Sequence, residues 1–222
     1  GLSSSGRPDY TGEMSLMTVV GYLDSPHDDE GRRWFQDQLR TINEVLVDHG
    51  FGAHTEPEQL LPIASAQPWT EIGSSSLHAL RRVAAYRALD GNYVATPFPD
   101  TARAADDPAV AKIGARTDSH LLCHSDAEGF YVPIDFPEVL IDERIAGAYL
   151  GSSVRLAHEL VLVAPALEIE LDRDGTLTPQ EAQRLYALTE KEDGLFRELT
   201  GWLDLYEAAR LSLAQKSAIV FL

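Results

Sequence analysis

The stretch from Asp118 to Phe136 constrains the fold of this chain most, because strand-forming residues, turn chemistry and reactive side chains coincide in it. Ser119 to Ser125 and Phe130 to Phe136 are both rich in apolar and aromatic residues, and Asp126-Ala-Glu-Gly129 between them offers a turn with a glycine suited to positive φ. The pattern predicts a β-hairpin over about 119–136. Side chains alternate between the faces of a strand, so His120, Leu122, His124 and Asp126 are expected on one side and Leu121, Cys123 and Ser125 on the other. Asp135 on the returning strand can join the first set. Imidazoles and carboxylates in that combination are what divalent metals use, which makes this face a candidate metal site. The spacing cuts against a shared ion, since His120 and His124 would stand ~13 Å apart on a straight strand. On the plainer reading the histidines bond across the sheet or face solvent, and Asp126 caps the turn.

Elsewhere, strand and helix patterns alternate. Met17 to Leu23 is a β-branched run ended by Asp24-Ser-Pro, and reads as a buried strand. Trp34, Phe35, Leu39, Ile42, Val45 and Leu46 recur at helical spacing after Asp28-Asp-Glu30, predicting a helix over 29–49 that Gly50 ends. His27 beside those acids is either a cation ligand or solvated charge at a helix start. Residues 52–69 hold three prolines and read as loop with at most a short strand near 53–55. A second helix is expected over 74–89, a short strand near 92–96, and polar connecting chain over 97–108. Gly151-Ser-Ser opens a third helix, apolar almost all round, that Pro165 closes. Leu167-Glu-Ile-Glu-Leu171 alternates as a strand does, and Thr178-Pro-Gln-Glu181 is a capping box opening a helix to about 188. A last helix from 193 or 195 to 214 and a strand over 217–222 complete the chain. The expected fold is α/β or α+β, a single domain over 14–222 in which a mixed sheet with a central hairpin is covered by about five helices. Residues 1–13 lack periodicity and read as a tail or added segment.

The balance of 35 acidic against 18 basic residues gives a formal net charge of -17, which repels a phosphate backbone. Basic residues are scattered, and nucleic-acid binding is disfavoured. The acidity serves either solubility or a basic protein partner. One cysteine, Cys123, excludes an internal disulfide and fits a reducing, cytoplasmic compartment. The longest apolar run, Leu160 to Leu167, is too short to span a membrane and contains Pro165.

Glu170-Leu-Asp-Arg-Asp-Gly-Thr-Leu-Thr-Pro-Gln-Glu181 resembles a calcium-binding EF-hand loop, with Glu170, Asp172, Asp174, Thr176 and Glu181 as the expected ligands of Ca2+. Glu170 replaces the usual first aspartate, and a strand rather than a helix is expected before it. A turn at Asp172 to Gly175 followed by a capping box accounts for the same residues. Cys123 is a nucleophile only if a distant histidine, His78 or His158, serves it, and is otherwise a buried thiol. The Gly-Ser-Ser openings at 73–75 and 151–153 suit helix capping, or an anion at a helix start. No phosphate loop, Gly-x-Ser-x-Gly elbow or His-Glu-x-x-His helix occurs in the sequence.

Residues 75–82, 124–137, Leu-Gly-Ser-Ser at 150–153 and Tyr-Glu-Ala-Ala-Arg-Leu-Ser at 206–212 resemble uncharacterised proteins of actinobacterial type. That resemblance implies no activity and no site residues. Two functions are carried forward. The first is a soluble acidic intracellular binding or regulatory protein, of inhibitor or immunity type. The second is a metal-dependent hydrolase using His120, His124, Asp126 and Asp135.

Overall fold

A computed structural model describes residues 15–25, 28–62, 68–98 and 103–222. The expected tail at 1–13 and His27 lie outside the described residues. A mixed sheet takes strands from both ends of the chain, in the order β2-β1-β6-β3-β5-β4. Its members are β1 (Ser15–Val20), β2 (Trp69–Gly73), β3 (Gly129–Val132), β4 (Leu140–Ile141), β5 (Tyr149–Ser152) and β6 (Ile219–Phe221). Only β3 and β5 run parallel; every other neighbouring pair is antiparallel.

Among the described residues six α-helices cover the sheet: α1 (Asp29–Asp48), α2 (Ser74–Leu89), α3 (Pro108–Gly114), α4 (Ser153–Val163), α5 (Pro179–Thr189) and α6 (Phe196–Gln215). The two faces bury different sets of side chains. On one, Phe35, Ile42, Val45 and Leu46 of α1 meet Val19, Phe130, Val132, Leu150 and Val220 of the sheet. On the other, Leu16, Val20, Ile72, Tyr131, Ile219 and Phe221 meet α2, α4 and α6, with Trp202 fully buried among them. Alternation along each strand makes this sandwich possible. The mixed sheet covered by helices is the expected fold class.

The capping signals hold at α1, α4 and α5, whereas no side-chain hydrogen bond caps α2 at the Gly73-Ser-Ser opening. Asp28 accepts the Gly31 N–H at 2.8 Å to cap α1, and Thr178 accepts that of Glu181 at 3.2 Å to cap α5. At the Gly151-Ser-Ser opening, Ser152 ends β5 and caps α4 by accepting the Arg155 N–H at 3.3 Å. The neighbouring Ser153 hydroxyl meets Ser212 of α6 at 2.7 Å in the core.

The hairpin over 119–136 does not form. Its second arm is real, since β3 lies there, but β3 is flanked by β5 and β6 and has no free edge for 119–125. That arm is instead a buried run of turns, in which the Cys123 N–H donates to the Ser119 carbonyl at 2.9 Å. The strand expected over 167–171 is also absent: Ala164–Leu167 is a 3-10 turn continuing α4, and a lone bridge joins Leu171 to Leu177. No strand forms at 53–55 or 92–96. Conversely β2, β4 and β5 come from segments with no strand pattern strong enough to read, each too short for alternation to show.

Candidate functional site

The turn at 119–125 cannot satisfy its backbone in a ladder, so two charged side chains from the core helices do so instead. Arg81 of α2 donates to the carbonyls of Leu121, His124 and Ser125 at 2.9, 3.0 and 3.1 Å. Glu159 of α4 accepts from the Ser119 hydroxyl at 2.7 Å and from the His120 and Leu121 N–H groups. Burial pulls Arg81 down from the usual guanidinium range and pushes Glu159 up from the usual carboxylate range.

The four residues expected on one hairpin face are divided among separate environments. His120 accepts the Ser152 N–H on Nδ1 at 2.9 Å, which fixes its proton on Nε2, a buried atom with no hydrogen-bond partner. His124 stacks on Tyr131 with ring centroids 4.1 Å apart, and its two ring nitrogens each lie 3.2 Å from a carbonyl, of Ser125 and Phe130. Burial lowers both imidazoles to about 4. Asp126 turns out to His78 at 3.2 Å, and Asp135 to Arg155 at 2.5 Å. With no strand at 119–125, the alternation that was to gather them is gone, and the hydrolase reading loses its site. Cys123 is a free, buried thiol whose pKa burial raises.

In the 170–181 loop two of the expected calcium ligands, Asp172 and Glu181, bond to the chain itself. Asp172 accepts the N–H groups of Asp174 and Thr176 at 2.9 and 2.8 Å. Glu181 accepts the Glu170 N–H at 3.0 Å and pairs with Arg184, which holds its carboxyl below the usual range. The side chains of Glu170, Asp174 and Thr176 are exposed. Among the described residues, no group of three or more His, Cys, Asp or Glu is placed to hold a metal ion.

What the fold does gather is an acidic edge at the end of the sheet where β3 and β5 begin. Between Asp126 and Glu143 there are six carboxylates and no Lys or Arg. Asp126 and Glu128 precede β3, and Asp142 and Glu143 follow β4. Gly147, at φ +73°, presses its loop against the loop before β3: a Cβ there would stand 2.1 Å from the Glu128 carbonyl oxygen. The end of α1 adds Glu44 and Asp48. Arg144 ties the loop after β4 to the end of α1, donating to Asp142 through Nε and Nη2 at 3.0 and 2.9 Å and to Glu44 at 3.2 Å, with Asp48 4.0 Å away. Its bonds hold the Asp142 carboxyl down at about 2. Glu128 and Glu143 have no cationic partner among the described residues. No sequence pattern marks this edge, since it joins residues about a hundred positions apart.

A family model described as a putative DNA-mimic protein matches residues 13–221. The chain belongs to that family. No curated protein and no solved structure matches it. The DNA-mimic description points to a protein-binding, inhibitor-like role with the partner unspecified. It also corrects the expected partner. In place of a partner expected from basic charge alone, the DNA-mimic family points to proteins that bind DNA, and DNA enters as the molecule imitated rather than as a ligand. No helix among the described residues is long and apolar enough to cross a membrane.

Proposed function

We propose that this chain occupies the DNA-binding surface of a partner protein and so competes with DNA for it. The observation that carries the reading is the acidic edge, where Glu44, Asp48, Glu128, Asp142 and Glu143 are brought to one end of the sheet on a chain of net charge -17. DNA presents one negative charge per ~1.7 Å of its axis, and proteins that bind it place Lys and Arg against those charges. Carboxylates held in a folded frame meet the same cations without the entropy a flexible acidic tail loses on binding. The acidic field also speeds encounter with a positively charged surface. Family membership supports the partner class, and the clustering of carboxylates at the edge supports the place.

The test is displacement. Proteins bound to immobilised duplex DNA are challenged with this chain, with a variant carrying Glu44→Gln, Asp48→Asn, Glu128→Gln and Glu143→Gln, and with one carrying Glu168→Gln, Glu170→Gln, Asp172→Asn and Asp174→Asn. The charge removed is the same in both variants. Release of specific proteins by the wild type and the second variant, but not the first, is expected. Release of none sinks the function, and equal release by both variants sinks the location.

A further inference from the structure

On the helix-rich face, away from the acidic edge, β1 and β2, the loop at Thr176 and Leu177, α5 and α6 enclose a cleft of about 700 Å3. Pockets for small molecules span ~300–1,000 Å3. Thr18 and Thr70 are cross-strand partners that line it, and Asp204 of α6 faces them. Thr18 is 1% exposed and its hydroxyl has no hydrogen-bond partner. A hydroxyl buried without a partner is a cost that folding rarely leaves standing. Asp204, mostly withdrawn from water, has a single long hydrogen bond among the described residues, from the Thr70 hydroxyl at 3.4 Å. Among the described residues no cation pairs with it: the nearby Arg210 is paired with Glu207 at 2.6 Å. Val20, Leu177, Ala182 and Leu203 supply apolar wall.

We propose that this cleft binds a small amphipathic amine, its ammonium group held by Asp204 and the Thr18 and Thr70 hydroxyls and its apolar body lying along the wall. Each feature of the cleft suits one part of such a ligand: a carboxylate with no cation paired to it among the described residues, a hydroxyl with no hydrogen-bond partner there, and apolar surface beside both. An anion is repelled by Asp204, since the other charged groups of the lining, Glu207 and Arg210, pair with each other, and a metal ion finds too few carboxylates. The carboxyl of Asp204 is raised by burial to about 6, so it is an anion at neutral pH, the state that attracts an ammonium.

The full chain is titrated calorimetrically at neutral pH with 2-phenylethylamine, tryptamine and agmatine, and with 2-phenylethanol as the uncharged match of the first. At least one cation is expected to bind, about ten-fold or more tightly than the alcohol. Asp204→Asn and Thr18→Val, both close in shape to the native residues, are expected to weaken that binding by about ten-fold or more while the melting temperature holds or rises. Thr70→Val is the substitute should either fail to fold. Binding by none of the three cations, equal binding of amine and alcohol, or unchanged affinity in the variants overturns the proposal. The same variants displace DNA-bound proteins as the wild type does, so this site and the acidic edge fail separately.

Discussion

Arg81 and Glu159 bring opposite charges into the same core without forming an ion pair, because each is consumed by the backbone of 119–125. Arg81→Met strips the donors from three carbonyls at once. Unpaired buried acceptors cost ~1–3 kcal/mol each, partly offset because a charge no longer has to be desolvated, and the net loss is expected at about 3 kcal/mol in urea unfolding. The buried imidazoles make a second prediction, in pH. His120 and His124 sit near 4 in the folded chain against 6.5 in the unfolded one, so the unfolded state takes up protons first as pH falls. Their contribution is intact above pH 6.5 and is lost between 6.5 and 4, about 3 kcal/mol each. Asp204 opposes them: its carboxyl is raised from 3.8 to about 6, so its contribution is present below 3.8 and lost as pH rises to 6. Denaturation series from pH 7 to 4 are expected to show falling stability in the wild type and a steeper fall in Asp204→Asn. A flat profile contradicts the buried, neutral histidines.

At the level of elements, α2 and α6 cross so closely that Gly201 is required at their contact. A Cβ there would lie 2.7 Å from the Ser76 carbonyl oxygen of α2. Helix propensity alone favours Gly201→Ala by ~0.5–1 kcal/mol. Overpacking against backbone costs ~1–3 kcal/mol and wins, so the melting temperature is expected to fall. A rise would mean that the helices separate freely. Competition between local signal and tertiary packing recurs at 119–136. The Asp-Ala-Glu-Gly turn and apolar flanks are consistent with a hairpin, yet Ile219–Phe221 pairs with β3 instead. The two strands lie some ninety residues apart, and nothing local records that pairing.

Over the whole molecule, the excess of acid sets long-range repulsion against the core. Exposed carboxylates repel one another over about a Debye length, ~10 Å at 0.1 M salt, and screening relieves it. Raising sodium chloride from 0.05 to 0.5 M is therefore expected to raise the melting temperature of the isolated chain while weakening its hold on a DNA-binding partner. A melting temperature that falls with salt contradicts net repulsion. Opposite responses of stability and binding to one variable distinguish a charge-built interface from an apolar one.

Helix limits were written in residues within a few positions of one another: Asp28 before α1, Thr178-Pro before α5, Gly50 after α1. Such signals act over one turn and survive any surroundings, which is why the helices and the mixed α and β character follow from sequence. The net charge followed too, being a sum that needs no geometry. Sheet order, the burial of His120 and His124 and the acidic edge did not. Each depends on segments that meet only after the core forms, as Glu44, Glu128 and Asp142 do around Arg144 and Gly147. Sequence distributed the carboxylates along the chain, and packing alone decided which of them stand together.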